Sequence, residues 1–136
     1  MAIEKSVVAL TDCNVDLARE VIKKDQDMDD LSLTIENLCI ELLSLQQPMA
    51  RDLRRIIGIL KIGIDLERIG DLAVDVARVT TQSQNKIQIT KLEYIPRMAE
   101  ISKKMLDQSM EALMNSDADL ARQVTKWDYE IDGLYV

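Results

Sequence analysis

Leu53, Ile57, Leu60 and Ile64 recur at spacings of four, three and four, the mark of a helix face meant for burial. The next two positions of that face are Glu67 and Asp71, and Val74 then resumes it. Two carboxylates therefore stand where the pattern asks for leucine. A bare carboxylate is costly to bury unless it is paired, protonated or bound to a metal. An earlier segment repeats the anomaly. Ala18, Val21, Met28, Ile35, Cys39 and Leu42 form a helical seam whose gaps are filled by Asp25 and Ser32, with Asp29 one turn beyond Asp25.

The same periodicity lays out the remaining elements. A short amphipathic helix is predicted over 2–11, and Asn14 is placed to cap the next one. A long helix follows over 15–46. Gln46, Gln47 and Pro48 make a corner, with Pro48 suited to the first turn of a third helix that runs to about residue 80. Gly58, Gly63 and Gly70 inside that helix predict close approach by a neighbour. A Thr-, Gln-, Ser- and Asn-rich linker spans 81–93. A fourth helix, with Pro96 near its start, reaches Asn115 and Ser116, and a fifth runs from 117 onward. The expected architecture is all-α: a first three-helix bundle over 1–80, the linker, and the first part of a second unit over 94–136.

An internal repeat supports that division. Residues 9–31 align without a gap on 112–134, and 11 of those 23 positions are identical, Asp25/Asp128 and Asp29/Asp132 among them. The second copy stops early: at the same offset a counterpart of the Glu67/Asp71 stretch would fall near position 170, so the second unit is expected to be cut short. The stripe Ile95, Ala99, Leu106, Leu113, Leu120 and Val124 should then lack its full cover and promote homo-oligomerisation.

Height along the hairpin brings the acids together. Helices two and three must be antiparallel across so tight a corner. The Asp25/Asp29 and Glu67/Asp71 pairs both stand roughly 30 Å from it, at about 1.5 Å per residue. Within each pair the i, i+4 spacing shares one face. Four carboxylates can thus converge as an oxygen-only set, which suits Mg²⁺, Mn²⁺, Ca²⁺ or iron better than Zn²⁺. The plainer reading is that these acids are solvated or paired with Lys24, Arg68 or Arg78.

Composition narrows the class. The chain has 136 residues, 47% hydrophobic, with no Phe, one Trp, three Tyr, four Gly and two Pro, which favours helices. A net charge of −7 argues against a nucleic-acid partner. The absence of His removes imidazole catalysis and most zinc chemistry. Cys13 and Cys39, far apart in sequence, read as reduced thiols of a cytoplasmic protein, a disulfide being the lesser alternative. No apolar run is long enough to insert in a membrane.

The segments LQQPMARDLRRIIGILKIGIDLERIGDLAVDVAR and ALMNSDADLARQVTKWDYEIDGLY, with DxxxDDL before them, resemble the PhoU family of phosphate-uptake regulators. The resemblance implies two similar three-helix bundles whose D/ExxxD motifs hold metal ions or clusters, commonly iron, with Mg, Mn or Zn as alternatives. Carried over, Asp25, Asp29, Glu67 and Asp71 are the ligands of the first bundle, and Asp128 and Asp132 are a half-site of the second. It also implies a non-enzymatic role in phosphate homeostasis, through a Pst-type phosphate transporter ATPase and a sensor histidine kinase. A carboxylate metalloenzyme (hydrolase or oxidase) and a metal-free structural bundle are the competing readings. Against the enzyme stand the lack of an obvious base and of a phosphate-cradling Gly-rich loop.

Overall fold

The computed structural model describes residues 1–83 and 94–135. Seven helices follow in order among them: α1 (Ala2–Thr11), α2 (Val15–Lys23), α3 (Asp25–Gln46), α4 (Ala50–Ser83), α5 (Ile95–Asn115), α6 (Ala118–Val124) and α7 (Asp128–Tyr135). No strand occurs among the described residues. Helix α1 has the bounds expected of it, and Pro96 falls in the first turn of α5. The expected linker loses its first three residues to α4, and residues 84–93 lie outside the described residues.

The helix expected over 15–46 is broken at Lys24. There the Lys24 amide donates to both the Glu20 and Val21 carbonyls, at 3.1 and 3.2 Å. The i−3 bond tightens the last turn of α2, and a ψ of −2° turns the chain off its axis. The helix expected from 117 onward breaks in the same way. The Lys126 and Trp127 amides donate to the Gln123 and Val124 carbonyls, and α7 then starts at Asp128. Asp25 and Asp128 are thus each the first residue of a new helix.

The sequence repeat is also a structural one. Cys13 and Ser116 both adopt the left-handed region, with φ of 51° and 55°. Behind them the Asn14 and Asp117 amides donate to the Ala9 and Ala112 carbonyls, each at 2.8 Å. Together with the Cys13–Leu10 and Ser116–Leu113 bonds, these close the same helix-ending motif twice. Asn14 then accepts from the Leu17 amide, and Asp117 from the Asp119 and Leu120 amides, capping α2 and α6.

At the base, α1 and α2 lie against the C-terminal half of α4 around Ala9, Ala18, Val21, Val74 and Ala77. Alanine at so many core positions lets the helix backbones approach closely. Farther out, α3 and α4 form a two-helix hairpin in one continuous antiparallel register. Gly70 faces Met28, Gly63 faces Ile35, and the Cys39 thiol lies 3.9 Å from the Ile56 carbonyl. Gly63 and Gly70 therefore mark the close approach the sequence suggests. Gly58 does not: a Cβ there would meet nothing within 4 Å.

These glycines also set the rotation of α4, and it differs from the sequence expectation. Leu53, Ile57 and Ile64 are 37%, 40% and 52% exposed instead of buried. With ten residues, α1 is about 15 Å long against about 33 Å for α3. Three-helix packing is thus confined to the base of the 1–80 unit. The stripe expected to lack its full cover on the later helices is half-buried at Ile95, Ala99, Leu106, Leu113 and Leu120 and buried at Val124. Most of the exposed large apolar side chains among the described residues lie on α3 and α4, with Met114 and Tyr129 exposed on the later helices.

The corner between α3 and α4 holds Gln47 at φ 46° and Ala50 at φ 41°. Pro48 lies within it, two residues before α4 begins, and not in the first helical turn. A left-handed conformation costs a residue with a Cβ about 1 kcal/mol. Gln47→Gly is accordingly expected to stabilise the protein by about 1 kcal/mol, read as a raised urea midpoint at unchanged slope.

Candidate metal centre

The helix break at Lys24 places Asp25 in the first turn of α3, with Asp29 one turn along the same face. Across the hairpin, Asp71 projects from α4 at the same height. One carboxylate oxygen from each of Asp25, Asp29 and Asp71 lies within 4.8 Å of the other two. Asp25 is partly buried and Asp71 exposed, so the cluster opens to solvent at the surface of the hairpin. Burial raises the Asp25 pKa above its ordinary 3.8, and repulsion from Asp29 and Asp71 raises it further. The Arg78 guanidinium opposes that rise and Asp75 adds to it.

Glu67 is not brought into this group. Its Oε2 accepts a hydrogen bond from the Ser32 hydroxyl at 3.1 Å, one turn of α4 nearer the corner. The two polar interruptions of the apolar seams, Ser32 on α3 and Glu67 on α4, thus answer one another. The fourth expected donor is engaged by Ser32.

Asp128 and Asp132 are exposed on α7, and no third carboxylate gathers with them among the described residues. The contacts here tie helices together instead. The Lys104 ammonium lies 3.4 Å from the centroid of the Trp127 ring, and Arg97 pairs with Glu130 at 2.7 Å across α5 and α7.

The cations proposed as surface partners for the acids are largely committed to others. Lys24 pairs with Glu20 at 3.2 Å, and Arg78 with Asp75 at 3.0 Å. The Asp75–Arg78 pair is the feature sequence reasoning passed over. Its signal was available, since Asp75 follows Asp71 by one turn. Three crowded carboxylates with oxygen-only donors are chemically fit for a hard cation, whose charge would relieve the repulsion that Asp25 now carries.

The sign of that repulsion is measurable in metal-stripped protein. The folded chain holds the Asp25 proton more tightly than the unfolded chain. Stability should therefore rise as pH falls through the raised pKa toward 3.8, and be lost as pH climbs back through it. Asp25→Asn should remove this dependence and add roughly 0.5 kcal/mol near neutral pH, the size of one i, i+4 like-charge repulsion. Urea titrations at several pH values in the presence of chelator test both signs.

The model of the PhoU domain family matches residues 1–80 and 95–136. The phosphate-specific transport system accessory protein PhoU homolog of Aquifex aeolicus is 41% identical over 134 residues, covering 98% of this chain and 61% of the relative. The corresponding homolog of Zymomonas mobilis is 33% identical over 135 residues, covering 99% and 57%. The crystal structure of PhoU from Pseudomonas aeruginosa superposes with a TM-score of 0.88 at 33% identity, over 98% of this chain and 65% of that one. The chain thus spans about three-fifths of the length of these relatives.

Proposed function

Because this chain belongs to the PhoU family, we propose that it acts as a non-enzymatic accessory regulator of phosphate transport and phosphate-starvation signalling. The observation that carries the reading is the match over nearly the whole chain to proteins named as phosphate-specific transport accessory factors, in the same helical fold. No helix among the described residues is long and apolar enough to cross a membrane; in this reading the chain acts on the transporter from the cytoplasm. Its partners in this reading are the transporter's ATPase and a sensor histidine kinase.

Asp25, Asp29 and Asp71 would hold the metal, iron or another hard cation, with Glu67 joining if it released Ser32. The ion would supply positive charge between α3 and α4 and pin the hairpin's base. Asp25 and Asp71, on different helices, would set how far apart those helices lie. The half-site of Asp128 and Asp132 would need donors from elsewhere.

The test is physiological. In cells lacking their own copy and grown with ample phosphate, this chain should restore repression of a phosphate-starvation reporter. A reporter that stays fully induced despite normal levels of folded protein would reject the role. Metal analysis of protein purified without chelator addresses the site separately, since a metal-free chain could still repress.

A further inference from the structure

Asp25, Asp29 and Asp71 crowd their carboxylates together, yet the cation beside them is paired with none of the three. That cation is Arg78, two turns of α4 beyond Asp71. Side chains on a helix lean toward its N-terminus, so Arg78 leans back along α4 toward Asp71. Its charge reaches the cluster. Among the described residues it is the one positive group that opposes the rise of the Asp25 pKa.

Asp75 holds the guanidinium instead, with Arg78 Nη1 donating to Asp75 Oδ1 at 3.0 Å. The two residues are rooted differently on α4. Around the helix from Gly70, which meets Met28 of α3, Arg78, Asp71 and Asp75 lie about 80°, 100° and 140° away, at about 100° per residue. Arg78 therefore starts on the cluster's side of Asp71, and Asp75 stands beyond Asp71 toward solvent. The Asp75 side chain is accordingly the more exposed, 65% against 54%. Their pairing draws the guanidinium outward, away from α3.

A guanidinium free to turn inward is a strong partner for carboxylates, since its fork of N–H donors matches two oxygens at once. It cannot share those oxygens with a divalent ion. An exposed i, i+3 pair is weak, so the restraint that Asp75 exerts is partial.

We propose that Asp75 is a positioning residue that holds Arg78 off the three-carboxylate group, and that Arg78, once released, competes with a metal ion for Asp25 and Asp71. The inference rests on the reading of these carboxylates as a metal site. Asp75 acts in it only through Arg78 and is not a donor. The affinity of the site is then set by three carboxylates together with one internal competitor, whose strength Asp75 controls.

Calorimetric titration of Mn²⁺ into the full, metal-stripped chain at fixed pH and salt tests the proposal. Asp75→Asn should weaken binding about tenfold, the lower end of what losing a group that supports a metal site costs. Arg78→Gln should tighten it about fivefold, the strength of an exposed ion pair expressed as an equilibrium ratio. The double variant should bind like Arg78→Gln alone, because Asp75 then has no cation to restrain. Arg78→Lys keeps the charge and should stay close to wild type. Both positions are exposed, and circular dichroism verifies that each variant folds. Asp75→Asn binding like wild type overturns the proposal. So does a double variant about tenfold weaker than Arg78→Gln, which would make Asp75 itself a donor. Arg78→Lys as tight as Arg78→Gln also overturns it, since charge would not be what competes. The underlying site fails by other signs: no Mn²⁺ bound by wild type or any variant, or an affinity that Asp71→Asn leaves unchanged, rejects the metal reading and this inference with it.

Discussion

Asp71→Asn should lower the affinity of the α3–α4 cluster for Mn²⁺ or Fe²⁺ by about a hundredfold, more than most changes to the groups that merely orient metal ligands. The residue is the one member of the three-carboxylate group contributed by α4. Without it, both remaining donors come from consecutive turns of a single helix, and the ion no longer bridges the hairpin. Glu67→Gln makes the sharper comparison. Its carboxylate is held by Ser32, so its loss should cost about tenfold or less. Isothermal titration of the two variants side by side distinguishes the cases. Equal losses would mean that Glu67 leaves Ser32 and joins the ion on binding. Neither variant should unfold, since both residues retain access to solvent.

Ala77→Leu is expected to destabilise the protein by about 3 kcal/mol, the upper end of what inserting extra methylenes into a packed core costs. Ala77 is fully buried in the small-residue cluster with Ala9, Ala18, Val21 and Val74, where α1, α2 and α4 come together. A leucine cannot be accommodated without driving α1 or α2 outward. The melting temperature should drop by about 10 °C. Ile57→Leu, at a half-exposed position on the same helix, should change it little and serves as the control. A tolerated Ala77→Leu would mean that the base of the molecule is looser than its alanines imply.

Much of this architecture can be read from the chain because its signals are local. The bounds of α1, the Asn14 cap, the start of α5 and the repeat at an offset of 103 residues all rest on nearby side chains or on direct comparison of segments. The breaks at Lys24 and at 125–127 are not visible in the apolar pattern, because a tightened turn displaces the axis without interrupting the periodicity. Rotation was the other blind spot. Distance from the corner gives the height of Asp25, Asp29 and Asp71 and brings them level. It cannot say that Gly63 and Gly70 turn α4 so that Leu53, Ile57 and Ile64 face water. The pairing of Ser32 with Glu67 is lost for the same reason, since each residue by itself reads only as a flaw in a seam.

The short corner between α3 and α4 has a bearing on the order in which the molecule assembles. Only residues 47–49 separate the two helices, so their pairing closes a small loop at little entropic cost. The contacts of α1 with α4 join segments some sixty residues apart and must wait for a much larger closure. The hairpin should therefore be the nucleus, and the alanine-rich base should lock late. On that ordering, substitutions at Gly63 should slow folding, whereas substitutions at Ala77 should act almost entirely by hastening unfolding.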